Sequence, residues 1–333
     1  MPLNANAGYR LAIVNPLTLT GHEVKSLLHD RGIPYQKIAL LSSLEEEKGA
    51  LTDVDQEPAV VQEINDEELE GLDLVFFCGD GALNGPWIEK REDLGFVAVD
   101  LSQPPSGVDG IPVVAGINDQ VIPDRSSAII SPHPIATPLS ILLNRLREDV
   151  SIELCVATAI QPASEFGQAG IDELMQQTVS VFNVQSVPQA IFQRQLAFNL
   201  FPAGEAVRDA AVVTSQVKSI TGFGTLALSI IQGTLFHGHS FSIFLKAPDA
   251  TAEGLLTALG SHESIDSGLP DETFSTVDAA GRDQVLVSAV REDPEVRGGF
   301  WIWMVSDNLR RGSSLNAVLV AEAVLGRIKP ILN

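Results

Sequence analysis

The sequence predicts a two-domain α/β chain, a doubly wound parallel sheet followed by an α+β domain with a mixed sheet. Three observations predict it. Continuous apolar runs at 9–14 (YRLAIV), 72–77 (LDLVFF) and 95–99 (GFVAV) are bounded by Gly, Asp and Pro, the pattern of strands covered on both faces. Helically spaced segments separate them, an alternation that builds a parallel sheet. After residue 133 the runs give way to alternating apolar and polar residues, which points to antiparallel strands with one wet face.

Each element has a local reason. A helix follows the first strand over 21–31, because Val24, Leu27 and Leu28 fall on one face, and another strand begins near Tyr35. In the second part a helix over 138–147 leads into a strand over 151–160, where Ile152, Leu154 and Val156 alternate with Glu153 and Cys155. The segments 234–245 (TLFHGHSFSIFL), 284–290 (QVLVSAV) and 300–305 (FWIWMV) each read as one strand. Ser306 and Asp307 give a capping signal ahead of an apolar face through Leu315, Val318, Leu319 and Val324, so 306–332 reads as one long closing helix. These elements place the first domain at 1–131, completed by the C-terminal helix 306–333, and the second at 132–305. There is no internal repeat.

With 333 residues, 45% of them hydrophobic, the chain can bury two cores. Its 43 acidic against 21 basic residues give a formal charge of -22, which repels phosphate backbones and anionic lipid surfaces and argues against nucleic acid and membrane partners. The acidity is spread in short runs, the pattern of solvated faces rather than of a recognition surface. Cys78 and Cys155 are 77 positions apart with no metal-ligand spacing, so neither a disulfide framework nor a cysteine metal site is expected. No leader segment and no apolar run near the ~20 residues that span a bilayer is present, which places the chain in the cytoplasm as an expectation.

The turn after the first strand, NPLTLTG at 15–21, stands where a dinucleotide-binding domain carries glycines, yet only Gly21 is present and Pro16 lacks an amide donor. Its competing reading is a turn that merely joins strand to helix. His133, His237 and His239 raise a metal-site alternative, since His-x-His on a strand shares one face, against polar histidines in a cleft. Residues 129–138, IISPHPIATP, run from an apolar strand into what reads as the mouth of a site, but carry prolines where a reactive side chain would be expected.

Four segments, taken in order, resemble the aspartate-semialdehyde dehydrogenase family, over nearly the whole chain. WIWMVSDNLRRGSSLNAVLVAE at 301–322 is similar to that family's closing Trp-x-Val-Ser-Asp-Asn-Leu-Arg-Lys-Gly segment, and FQRQLAFNLFP at 192–202 to its Ala-Phe-Asn-x-x-Pro segment. HGHS at 237–240 resembles its Gly-His-Ser, and AIQPASEFGQAG at 159–170 its Tyr-Gln-Ala-x-Ser-Gly region. The resemblance implies a Rossmann-like NADP-binding domain, a dimerisation domain that makes a homodimer, His239 as acid/base and Gln161 as a vestigial catalytic partner. It puts cofactor-binding positions at Asn15, Thr18, Gly21 and Asn316.

Departures from the pattern decide the functional expectation. The family's Pro-Asn-Cys-x-Thr stretch, whose cysteine attacks the aldehyde to form a thiohemiacetal, is matched here by Pro132, His133 and Pro134, and proline supplies no nucleophile. Its substrate-binding arginine corresponds to Gln232, its phosphate-holding arginine falls in SQPPSG at 102–107, and its ammonium-binding glutamate corresponds to Gln216. The resemblance therefore implies a homologue that is catalytically inactive or strongly altered, with NADP binding weak or lost, acting as a dimeric binding or regulatory protein for an unidentified small molecule. Two alternatives stand beside it: an NAD(P)-dependent semialdehyde dehydrogenase using His239 as general base without a cysteine, and the histidine metal site.

Overall fold

The computed structural model describes residues 8–122, 127–203, 206–269 and 272–326. Two compact units emerge, one formed by the chain up to Pro132 together with the residues from Ser313 onward, the other by His133–Gly312.

The first unit is a parallel sheet covered on both faces. Its elements in order are β1 Tyr9–Val14, α1 Leu19–Asp30, β2 Tyr35–Ser42, β3 Leu51–Val54, β4 Glu57–Val60, β5 Gln62–Glu63, α2 Asp66–Leu69, β6 Leu74–Phe77, α3 Gly81–Glu89, α4 Arg91–Leu94, β7 Val97–Asp100, β8 Gly110–Pro112 and β9 Ala128–Ile130. Strands lie in the order β5-β2-β1-β6-β7-β9-β8 with every pairing parallel, while β3 and β4 form a separate hairpin. The central strand β6, LVFF, is apolar and buried at every position because each face of the sheet has its own core. Leu74 and Phe76 join Leu11, Ile13, Val24 and Leu27 on one side, and Val75 and Phe77 join Val14, Ile88 and Phe96 on the other. Helix α1 starts where Thr18, in extended conformation, caps it by accepting from the Gly21 amide, and it ends before Gly32, whose φ of +60° stops a helix.

The second unit contains α5 Ala136–Asp149, β10 Leu154–Gln161, α6 Gly167–Phe182, β11 Phe201–Pro202, α7 Ala206–Thr221, β12 Leu226–Gln232, β13 His239–Lys246, α8 Ala252–Gly260, β14 Ile265–Asp266, α9 Thr276–Ala279, β15 Val285–Glu292 and β16 Gly299–Ser306. Its sheet is mixed, ordered β11-β12-β10-β13-β16-β15-β14. The β10–β12 and β14–β15 pairs are parallel and the others antiparallel. Alternation explains the register: Cys155, Ala157 and Ala159 face Leu245, Ile243 and Phe241, which in turn face Phe300, Ile302 and Met304, all buried. The last helix, α10 Leu315–Leu325, belongs to the first unit, where Val318, Ala321 and Val324 pack with α1 residues and the Tyr9 hydroxyl donates to the Leu325 carbonyl.

Two elements differ from the sequence reading. The stretch 234–245 is not one strand, because β12 ends at Gln232 and Gly238, with φ +83°, turns the chain before β13 begins at His239. Nor does a helix begin at Ser306, which ends β16 paired with His239. The capping signal is real but serves a turn: Asp307 Oδ1 accepts from the amides of Leu309 and Arg310, a single π turn covers Arg310–Ser314, and only then does α10 start. The end of the expected helix, 327–333, lies outside the described residues.

Candidate functional site

The first turn of unit one is filled by its own side chains. Asn15 sits at φ +57° and is buried. Its amide donates to the Cys78 carbonyl and Asn84 Oδ1, and its Oδ1 accepts from Ser42 Oγ, Ser43 Oγ and the Ser43 amide. Among the turn's amides, Thr18's is taken by the Asn15 carbonyl, Gly21's by the Thr18 hydroxyl, and position 16 has none. Gly21 is required for packing, since a Cβ there would stand 2.6 Å from the Asn15 carbonyl oxygen. Asn316 is committed as well: Nδ2 donates to the Val113 carbonyl at 2.8 Å and Oδ1 accepts from the Ala115 amide at 3.0 Å. Ser106 hydrogen-bonds Asp100. At positions 15, 18, 21 and 316 the side chains and amides named are thus held by the chain itself.

In unit two the chain gathers His133, Gln161, Glu165, Gln232, His239 and Asn308. The β10–β12 register sets Gln161 beside Gln232. Gln161 Nε2 donates to Gln232 Oε1 at 2.8 Å, and Gln232 Nε2 donates to the backbone carbonyls of Gln161 and Gly233. Gln216 Oε1 accepts from the His133 amide at 2.9 Å, and His133 Nδ1 accepts from the Ile135 amide. Burial pushes the His133 imidazole down to about 4. His239, fully buried, is lowered well below the usual imidazole range by the same desolvation and by His133, so it is a neutral base.

Glu165 is the residue that sequence reasoning passed over. Its Oε1 lies 3.5 Å from His239 Nε2 and accepts from Asn308 Nδ2 at 3.0 Å. Burial raises this carboxyl to about 7, against the lowering effect of the Asn308 hydrogen bond and with Asp209 on α7 adding to the rise. Asn308 is itself pinned by Ser164 Oγ and by the Gly238 amide. The available signal was a carboxylate in place of the final glycine of the Tyr-Gln-Ala-x-Ser-Gly pattern.

His237 is exposed in the turn while His239 is buried on the strand, so the two do not share a face. Among the described residues no group of three His, Cys, Asp or Glu side chains could hold a metal, which removes the histidine metal site. Cys78 and Cys155 are both buried, and desolvation pushes each thiol up to about 12, so neither is a reactive thiolate. No described helix is long and apolar enough to cross a membrane.

With this geometry in view, similarity to known proteins has a definite content. A family model described as semialdehyde dehydrogenase, dimerisation domain, matches residues 143–311. The aspartate-semialdehyde dehydrogenase of Rickettsia bellii is 27% identical, covering 95% of this chain and 98% of its own, and that of Streptomyces akiyoshiensis is 29% identical, covering 96% and 99%. The solved structure of a probable aspartate-semialdehyde dehydrogenase from Pseudomonas aeruginosa superposes with a TM-score of 0.90 at 25% identity, covering 96% of this chain and 99% of that one. A doubly wound parallel sheet, a mixed-sheet unit matched over half the chain and relatives aligned along its whole length give one conclusion: the chain belongs to the semialdehyde dehydrogenase family.

Proposed function

We propose that this protein is a homologue of aspartate-semialdehyde dehydrogenase that has lost the thiol-dependent dehydrogenase reaction and serves as a dimeric binding or regulatory protein. The observation that carries this reading is the residue at the nucleophile position. Matching the family's proline to Pro132 puts Pro134 opposite its cysteine, and matching its threonine to Thr137 puts Ile135 there, immediately before α5. A thiolate at such a helix start would be favoured by the amides around it, but neither side chain can attack a carbonyl. The buried Cys78 and Cys155 offer no substitute.

Other departures support the same reading. Gln232 and Gln216, opposite the substrate-binding arginine and glutamate, are engaged with Gln161 and the His133 amide. NADP binding is weak or lost in this proposal, because Asn15, Pro16 and Thr18 close the turn on which a pyrophosphate would sit. A steady-state assay tests it: phosphate- and NADP-dependent oxidation of aspartate semialdehyde, abolished by His239→Ala, overturns it. The altered dehydrogenase, with His239 as general base and no thioester, requires bound cofactor, so unchanged NADPH fluorescence at millimolar concentration removes that reading. Pro134→Cys alone is expected to restore no activity in the same assay, since the charges of the substrate remain unmatched.

A homodimer belongs to the proposal. Met175, Val179 and Phe182 are 56%, 54% and 74% exposed and fall on one face of α6 within the matched dimerisation domain. Phe182→Asp is expected to halve the mass measured by light scattering, and an unchanged dimer would place the interface elsewhere.

A further inference from the structure

Buried polar atoms without a hydrogen-bond partner concentrate in the second unit among the described residues. They are both ring nitrogens of His239, Thr137 Oγ1, Ser140 Oγ, Ser306 Oγ and Arg311 Nε. Native interiors leave few such groups unpaired, and an occupant or a chemical role accounts for those they do. His239 and Ser306 are direct cross-strand partners on β13 and β16, so both project from the same face. Beside them stands Glu165, its side chain 9% exposed, 3.5 Å from His239 Nε2 and braced by Asn308. Matched on Gln161 and Ser164, the resembled segment has glycine at position 165, so this carboxyl is an addition to the cluster and not part of the inherited machinery.

We propose that Glu165 and His239 form an acid–base pair that catalyses enolisation of a small uncharged aldehyde or ketone, with no covalent nucleophile and no redox cofactor. The inference goes beyond the proposed function and uses it only in that no thiol competes for the carbonyl. A neutral imidazole and a carboxylic acid a few ångströms apart reach the two places where enolisation moves protons, the carbon next to a carbonyl and the carbonyl oxygen. His239 Nε2 takes the α-proton, the C–H electron pair becomes the C=C bond, and the C=O π pair takes the proton held by Glu165. The products are the enol, an imidazolium and a carboxylate. The proton then returns from His239 to Glu165 across their 3.5 Å separation, and the pair is reset with no net consumption of acid or base.

Charge selects the substrate. Both histidines are held neutral by burial, Gln232 takes the arginine position, and Asp209 and Glu165 are the carboxyls that act on this spot. An anionic ligand would therefore meet the Glu165 and Asp209 carboxyls beside two neutral imidazoles, whereas an uncharged carbonyl compound meets a base and an acid. Because Glu165 must carry its proton to act as the acid, the rate is highest on the acid side of pH 7 and falls as pH rises through about 7.

Propanal in deuterated water, followed by proton magnetic resonance, tests the pair. Wild-type protein is expected to exchange the α-hydrogens at least tenfold faster than buffer alone, and Glu165→Gln and His239→Gln are each expected to fall to the buffer rate. Melting curves establish that the variants are folded, and Glu165→Gly, the family's residue, serves as a second loss-of-acid variant. Wild-type exchange within tenfold of buffer, or Glu165→Gln as fast as wild type, overturns the proposal. Failure of the non-thiol reading would show differently, as NADPH formation or a covalent adduct, neither of which exchange reports.

Discussion

Glu165→Gln is expected to stabilise the folded protein by about 3 kcal/mol at pH 8 and to leave it nearly unchanged at pH 4.5. The carboxyl moves from 4.5 to about 7 on folding, so its ionised form is disfavoured in the native state. Below the unfolded value both states are protonated and nothing is lost. As pH rises from there to about 7 the unfolded chain ionises while the folded one resists, and stability falls at ~1.4 kcal/mol per pH unit until both are charged. Glutamine keeps the acceptor for Asn308 and removes the titration, so the difference between variant and wild type grows over that window. His133 works in the opposite sense: lowered to about 4, it contributes stability present above the ordinary imidazole range and lost as pH falls through 4. Urea denaturation at pH 4.5, 6 and 8 checks this, and a constant difference across the three would contradict it.

Gln177→Leu is the second large effect, a loss of about 3–5 kcal/mol. Gln177, on α6, is fully buried. Its Nε2 donates to the carbonyls of Pro188 and Arg194 and to Glu173, and its Oε1 accepts from the amides of Leu196 and Ala197. Glu173, one turn earlier, accepts from the amides of Ile191 and Phe192. Two polar side chains thus hold a segment with little regular structure of its own, the one that resembles the family's Ala-Phe-Asn-x-x-Pro. Leucine fits the space but leaves the buried amides of Leu196 and Ala197 and the part-buried carbonyls of Pro188 and Arg194 without partners, at roughly 1–3 kcal/mol for each buried amide before the segment relaxes. Hydrogen exchange at Leu196 and Ala197 is expected to accelerate before global unfolding, and a variant within 1 kcal/mol of wild type would mean that water replaces the amide.

What the sequence made legible follows from how local each cause is. β1, β6 and β16 were readable because unbroken or alternating apolar runs declare strands wherever they occur, and α1 because Val24, Leu27 and Leu28 mark one face. The break at Gly238 was hidden because HGHSF continues an apolar alternation that a single left-handed glycine interrupts. Asp307 was read correctly as a cap, but the turn it caps precedes the helix. Glu173 and Gln177 look like the wet side of an amphipathic helix, and only the return of residues 188–197 shows that side to be interior. Glu165 was hidden for the same reason: a glutamate between Ser164 and Phe166 reads as a solvated loop residue until Asn308, 143 positions later, closes over it. The resemblance to a family pointed to His239 and to Pro134 directly, yet its pattern ends in glycine where this chain carries Glu165.

A single spectrum bears most directly on the claim that this scaffold works without acyl transfer. Incubated with aspartate semialdehyde, NADP and phosphate, then quenched in acid, the intact chain is expected to retain its unmodified mass. An added aspartyl mass on any residue would contradict the account.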